Sequence, residues 1–218
     1  MKSRLLLHAL LATGLVAVVL AMPQLAAAQT SKLVEKTDMI GQTIQTPYIN
    51  YNEYQNISVN GRVTFRKLLT VQSVREAVNR IGKPDSTRRT VAPDGQFTSY
   101  LYYRGGTTMK FRKFADGTIG LQSMESRSPE WSLIVGGTDL RPGMPVDRLS
   151  PAVRKSLQKR TTSDDPDLDH FSVVHIAKPG SAKSGDVELL QDGKAQILVY
   201  VNAETGIVER IRFSRLGP

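Results

Sequence analysis

Two stretches of the chain carry the same apolar pattern, and this duplication constrains the fold more than any other feature. Each copy has four apolar residues at nearly helical spacing, and the copies lie 75 residues apart: Val71, Val74, Ala77 and Val78, then Val146, Leu149, Ala152 and Val153. Segments of alternating apolar and polar residues, separated by glycine turns, follow each copy and predict antiparallel hairpins. The sequence therefore predicts an α+β fold of two tandem repeats, each a short helical segment packed on an antiparallel β-sheet.

The duplication also divides the chain into segments. The first α/β repeat is expected over 57–128 and the second over 129–218, the latter with a polar insertion over 159–186. Residues 29–56 are rich in Gln, Thr, Asn and Tyr without a persistent period, which predicts an extended arm or linker. A polar stretch over 85–96 predicts a loop between the first helix and its strands.

The local signals are clearest around the two helices. The hydroxyl of Thr70 is predicted to cap the first helix, which Gly82 ends, and Ser150 followed by Pro151 predicts the start of the second. The hairpin segments predict strands over 98–104, 107–114, 118–125, 171–176, 187–191, 195–201 and 207–213.

The N-terminus has the pattern of an export signal. Lys2 and Arg4 precede a mostly apolar stretch, and Ala26-Ala27-Ala28 supplies the small residues of a cleavage site, which predicts a signal peptide over 1–28. Cleavage before Gln29 would leave a periplasmic or secreted protein. The alternative is an uncleaved anchor, because the apolar stretch approaches the ~20 residues that span a bilayer.

Composition narrows the partners. The chain has no cysteine and a formal net charge of +9, so it forms no disulfide and carries no lipid on an N-terminal cysteine. Basic proteins are steered towards nucleic acid, anionic lipid or acidic proteins. For an exported chain we expect no nucleic acid; the expected partner is another envelope or secreted protein, with an anionic envelope surface as a further option.

The sequence contains no catalytic signature. Beyond the leader it has two histidines, His170 and His175, and no phosphate loop, dinucleotide fingerprint or zinc motif. The acidic residues of 164–169 alternate as in a calcium loop, but His170 stands where that loop needs glycine and Ile176 where it needs glutamate. We therefore expect a solvated loop, no metal, no cofactor and no catalytic residue. A hydrolase using one of the histidines is the competing interpretation.

Several segments resemble a known family of envelope proteins. Residues 140–144, Leu-Arg-Pro-Gly-Met, resemble the start of the repeat in the SmpA/OmlA small lipoproteins of outer-membrane assembly. Residues 78–84 resemble the segment after their helix, and residues 100–119 resemble their strands. A tandem pair of such units is similar to the architecture of the β-lactamase inhibitory protein. The resemblance spans residues 57–213 and implies a non-catalytic binding module, although this chain has no lipobox cysteine.

These observations lead to one expected function. In the predicted middle strand, Lys110 and Arg112 alternate with Met109 and Phe111, so one face of the sheet is expected to be open and basic. The candidate binding residues are Tyr100, Tyr102, Lys110, Arg112, Arg210 and Arg212. Arg210 and Arg212 are expected to be the counterparts of the basic pair in the second repeat. We expect an exported, non-catalytic protein–protein interaction module of the bacterial cell envelope. The alternative is a secreted binder of an anionic ligand such as lipid headgroups or acidic polysaccharide.

Overall fold

The structure, a computed structural model, describes residues 32–37, 43–135, 137–159, 170–179, 190 and 195–215. The first part of the chain forms β1 (Lys32–Thr37), β2 (Thr43–Ile49), α1 (Tyr51–Asn56), β3 (Ser58–Val59), β4 (Val63–Thr64), α2 (Phe65–Leu68), α3 (Val74–Ile81), β5 (Ser86–Val91), β6 (Phe97–Tyr103), β7 (Thr107–Lys113) and β8 (Ile119–Ser126). The second part forms β9 (Leu133–Val135), β10 (Thr138–Leu140), a 3-10 turn (Val146–Arg148), α4 (Pro151–Lys155), β11 (Gln158–Lys159), β12 (His170–Ile176), β13 (Ala195–Asn202) and β14 (Ile207–Arg215). The class is α+β, as predicted.

The described strands form two sheets. Nine strands of the larger sheet lie in the order β1-β2-β12-β13-β14-β8-β7-β6-β5, and β11 pairs with β12 beside this path. Its pairs are antiparallel except for the short parallel contact between β2 and β12. The smaller sheet has the order β10-β9-β3-β4. The antiparallel runs β6 to β8 and β13 to β14 are hairpins that the sequence predicted, whereas β5 extends the first run and β12 pairs with β13.

One face of the larger sheet carries the hydrophobic core. Every described α-helix contributes a buried apolar side chain to the same cluster as the strands: Tyr54, Phe65, Leu68, Ala77, Ile81 and Val153. The strands contribute alternate residues, among them Leu101, Met109, Phe111, Leu121, Met124, Ile197, Val199, Ile211 and Phe213. Because successive side chains of a strand point to opposite faces, the residues between these ones lie on the other side. We call that other side the open face.

Corresponding strands of the two halves pair with each other. In the larger sheet, the last strand of each half meets the other, with Ser126 opposite Ile211 and Ser123 opposite Ser214. In the smaller sheet, the hairpin β3–β4 meets the hairpin β9–β10 through their first strands. Both contacts between the halves are antiparallel.

The segment before each helix makes a similar contact in both halves. Val71 forms an isolated antiparallel bridge with Ile119 at the start of β8. Pro145 forms the same kind of bridge with Ile207 at the start of β14. The helices that follow differ, since α3 has eight residues whereas α4 has five after a 3-10 turn. The halves therefore share their sheet connections more closely than their helices.

The segment 29–56, expected to be an extended arm or linker, forms regular structure over its described part. Its residues include β1, β2 and α1, and β2 joins the larger sheet by pairing with β12. Ile49 and Tyr54 are 1% and 3% exposed, respectively. The polar composition concealed this role because β1 and β2 have no apolar alternation, and the pairing of β2 with β12 joins residues distant in sequence.

The polar stretch 85–96, expected to be a loop, contains the edge strand β5. All six residues of β5 are exposed, which explains why their sequence, Ser-Thr-Arg-Arg-Thr-Val, has no apolar alternation. The strand forms through its register with β6, from Ser86 opposite Tyr102 to Val91 opposite Phe97. Arginine residues on an edge strand discourage pairing with other chains.

The N-cap residue of the first helix lies three residues later than predicted. Ser73 caps it, because its hydroxyl accepts a hydrogen bond from the Glu76 amide at 3.2 Å. Thr70 precedes the bridge at Val71 and so cannot lie at the helix end. The second start is as predicted: the Ser150 hydroxyl accepts from the Val153 amide at 3.3 Å.

Some predictions fall outside the described residues: the signal peptide, the acidic stretch 164–169, the parts 160–169 and 180–186 of the insertion, and almost all of the strand expected over 187–191. The other predicted strands are confirmed to within about two residues at each boundary. Within the described ranges, no helix is both long enough and apolar enough to cross a membrane.

Candidate functional site

The open face contains all six candidate residues. Tyr100 lies opposite Lys110 in the register of β6 and β7, and both alternate with the core residues Leu101 and Met109. The same alternation places Tyr102 and Arg112 on the open face, and the register of β14 with β8 places Arg212 there opposite Glu125. Neighbouring strands lie about 4.8 Å apart, so the three steps from β6 to β14 cover roughly 15 Å.

The aromatic part of this surface is stacked. The rings of Tyr100 and Tyr102 lie 6.4 Å apart between centroids with an interplanar angle of 13°. The Lys110 ammonium lies 5.6 Å from the centroid of the Tyr100 ring, within the range of a cation–π contact. Arg112 donates a hydrogen bond to the Gln96 side chain at 3.2 Å. These contacts hold the two tyrosines and the two cations in one fixed group.

A charged group lies where the two halves of the sheet meet. Glu125 is 3.6 Å from the Arg210 guanidinium and 3.9 Å from that of Arg212. Arg210 also lies over the ring of Tyr200, with its Cζ 4.0 Å from the centroid. The Arg210 side chain is only 13% exposed, whereas that of Arg212 is 48% exposed, so Arg212 is the more accessible cation of this group.

The sequence related Arg210 and Arg212 to Lys110 and Arg112 as counterparts in the second repeat. The structure gives a different relation, because β14 occupies the place in its half that β8 occupies in the other. Arg212 therefore faces Glu125 of β8 across the seam. Basic residues alternate with core residues in both β7 and β14. The order of the strands in the sheet, and not this pattern, decides which strand of the first half corresponds to β14.

Four open-face residues were missed by the sequence analysis. Arg88 lies opposite Tyr100 on β5, which was expected to be a loop. Phe171 lies opposite Tyr200, with ring centroids 6.3 Å apart, and Glu125 joins the two halves. Glu125, Phe171 and Tyr200 lie in predicted strands, so their alternation with core residues is the signal that would have found them.

Burial separates one tyrosine of β6 from its neighbours. Tyr103 points to the core side, where its ring lies 4.6 Å from Trp131 between centroids and its hydroxyl donates to the Gly82 carbonyl at 3.2 Å. Burial raises the pKa of Tyr103 to about 12. The group is therefore neutral and structural, whereas Tyr100 and Tyr102 are available on the open face.

The histidines of the competing hydrolase interpretation lie on the same strand. His170 is opposite Val201 and His175 opposite Gln196, which puts them on opposite faces of β12. Within the residues that the structure describes, no group of three or more His, Asp or Glu side chains is arranged to hold a metal ion.

The chain was also compared with known proteins. No family model, no curated protein and no solved structure matches it.

Proposed function

We propose that this protein is an exported, non-catalytic interaction module of the cell envelope, and that its open face binds another protein. The observation that carries the proposal is the grouping of Tyr100, Tyr102, Lys110, Arg112, Arg210 and Arg212 on one face, opposite the helices. Tyrosine and arginine are enriched among the residues that dominate binding energy at protein interfaces. A rigid sheet presents them without the entropy cost of ordering a loop.

We further propose that the two halves arose by duplication of one α/β unit. The pairing of β8 with β14 and of β3 with β9 supports this, because equivalent strands of two copies pair antiparallel about a twofold axis. We also propose that this unit is similar to the SmpA/OmlA repeat, and that the pair of units is similar to the architecture of the β-lactamase inhibitory protein. We propose as well that the leader over residues 1–28 directs export of the chain.

The chemistry of the open face selects an acidic partner. Cationic side chains outnumber carboxylates from β5 to β14, with Arg88, Lys110, Arg112, Arg210 and Arg212 against Glu125 at the seam. Complementary charge raises the rate of association and rejects basic competitors. The stacked tyrosines add apolar contact area, which charge alone does not provide.

The proposal is tested by reversing charge on one side of the molecule at a time. We expect the pair Lys110→Glu and Arg112→Glu to lower the recovery of a partner from an envelope extract by about tenfold, because like charges would face an acidic surface. The matched control is Arg62→Glu with Arg75→Glu, which makes the same change in net charge at exposed positions away from the open face. Quantitative mass spectrometry of the retained proteins gives the readout.

Equal loss in both double variants would contradict the proposal, and so would recovery that neither variant alters. Ionic strength distinguishes the proposed protein–protein interaction from the alternative function, which is the binding of an anionic lipid or polysaccharide. Screening reduces the Debye length from about 10 Å at 0.1 M salt to about 3 Å at 1 M. Retention of a protein at about 0.5 M salt supports the tyrosine-anchored interface. Complete release, together with salt-sensitive binding to anionic vesicles, supports the alternative.

A further inference from the structure

A cleft lies on the helix side of the sheet, away from the open face. It is bounded by α1, by the end of α2 and by the edges of β13 and β14 that Ala195 and Arg215 mark. Its volume is about 470 Å³. Binding sites for small molecules typically measure about 300–1,000 Å³, so the cleft is large enough for a small organic ligand.

The lining of the cleft is divided into a polar and an apolar part. Among the described residues that line it, the charged ones are the cations Arg66 and Arg215. The remaining residues are Tyr51, Tyr54, Gln55, Leu69, Thr70, Pro179, Leu190 and Ala195. Cations beside hydroxyl and amide groups favour an anionic head, while the leucines, alanine and proline favour an apolar body.

Arg215 is held in place by the fold. Its Nη1 donates to the Leu69 carbonyl at 3.0 Å, and its Cζ lies 4.8 Å from the centroid of the Phe114 ring. A guanidinium fixed in this way loses less entropy when it binds an anion than one that is free to rotate. Arg66 lies on α2, is exposed, and lines the cleft together with Arg215 of β14.

Tyr54 provides a neutral donor between these elements. It is 3% exposed, and its ring packs 6.0 Å from the centroids of both Phe65 and Phe213. Burial raises the pKa of its hydroxyl, and the nearby Arg215 lowers it by less. The hydroxyl is therefore protonated at neutral pH. Because Tyr54 lines the cleft, a ligand oxygen there could accept its hydrogen bond.

We propose that this cleft binds a small amphipathic carboxylate, with the carboxylate between Arg66, Arg215 and the Tyr54 hydroxyl and the apolar body against Leu69 and Leu190. The site is independent of the open face, because none of its residues lies there. A failure of one proposal therefore leaves the other standing.

Octanoate is a suitable probe, and titration calorimetry is the measurement. We expect saturable binding of one octanoate per chain, with octanol, which lacks the charge, binding at least tenfold more weakly. Tyr54→Phe keeps the ring in its packing and removes only the donor, so we expect about tenfold weaker binding, as for a hydrogen bond to a charged group. Arg66→Gln should have a similar effect, whereas Arg62→Gln, also exposed but outside the cleft, should bind as the unaltered protein does.

Three outcomes would overturn the proposal: no binding of octanoate, equal binding of octanol, or equal affinity in Tyr54→Phe, Arg66→Gln and Arg62→Gln. Octyl phosphate and inorganic phosphate separate the roles of head and body. Octyl phosphate binding at least tenfold more tightly than octanoate would replace carboxylate with phosphate as the head. Inorganic phosphate binding as tightly as octanoate would refute the role of the apolar body.

Discussion

Replacing Gly120 with alanine is expected to be among the most destabilising single changes in this chain. A Cβ atom at this position would lie 2.0 Å from the Leu69 carbonyl oxygen and 2.7 Å from its carbon. These are backbone atoms, held by the bridge in which the Val71 amide donates to the Ile119 carbonyl at 2.8 Å. Because no side chain can rotate away, the segment before α3 must separate from β8. We expect a loss of about 3 kcal/mol or more, measured by urea unfolding.

Gly117→Ala is the matched control in the same hairpin. No atom lies within 4 Å of the Cβ that it would add, so only the backbone angle φ of +84° opposes the substitution. That angle costs a residue with a side chain about 1–2 kcal/mol. If Gly120→Ala is no more destabilising than Gly117→Ala, the close approach of the Leu69 carbonyl to β8 is wrong.

Phe213→Ala is expected to have a comparably large effect for a different reason. Phe213 is fully buried on β14, opposite Met124 of β8, and its ring lies 4.4 Å from that of Phe65 between centroids. Removing a buried phenylalanine ring costs about 3–5 kcal/mol through lost transfer energy and the cavity left behind. Because the cavity touches both halves of the sheet, we expect one cooperative unfolding transition, shifted to lower urea concentration.

Fluorescence of Trp131 and circular dichroism should report that same transition. The tryptophan packs against Tyr103 in the first half, so its fluorescence reports on that region, whereas circular dichroism reports on the strands of both halves. Val91→Ala is the control, because Val91 is 63% exposed and its truncation should change the free energy of unfolding by less than about 0.5 kcal/mol. Two separate transitions in the Phe213→Ala protein would contradict a shared core.

The strands of the two hairpin runs were predictable because their side chains alternate. In β7, for example, Met109 and Phe111 pack in the core while Lys110 and Arg112 lie on the open face, as the period of two requires. Turn residues mark the boundaries between the strands: Gly105 and Gly106, between β6 and β7, have positive φ angles of 72° and 81°, as a tight hairpin turn needs.

Two strands, β5 and β2, could not be predicted from the sequence, for different reasons. β5 has no apolar period because all its side chains are exposed, and it exists through hydrogen bonds to β6. β2 joins the sheet through a parallel contact with β12, more than 120 residues away, with the Thr46 hydroxyl donating to the Val173 carbonyl. The pairing of β2 with β12 therefore cannot be predicted from a local window, whereas β5 was missed because its own side chains give no strand signal.

The sequence predicted an open basic face in the first half, but not whether that face continues into the second half. Alternation placed Tyr100, Tyr102, Lys110 and Arg112 on one face, yet whether Arg210 and Arg212 extend that face depends on which strands meet. The register of β8 with β14 supplies this information. Strand order is a property of the whole sheet, and no residue pattern within either half specifies it.

The most direct test of the account is a cross-link between the halves at the seam. The chain has no cysteine, so Arg212→Cys with Glu125→Cys introduces a single pair on directly opposite residues of the open face. Opposite residues have Cβ atoms about 4.5–5.5 Å apart, close to the spacing that a disulfide needs. We expect rapid oxidation to an internal disulfide, seen as a mobility shift on a non-reducing gel. Arg212→Cys with Ser126→Cys, whose side chains lie on opposite faces, should remain reduced. Failure of the first pair to oxidise, or equal oxidation of both, would show that the open face does not continue from one half to the other.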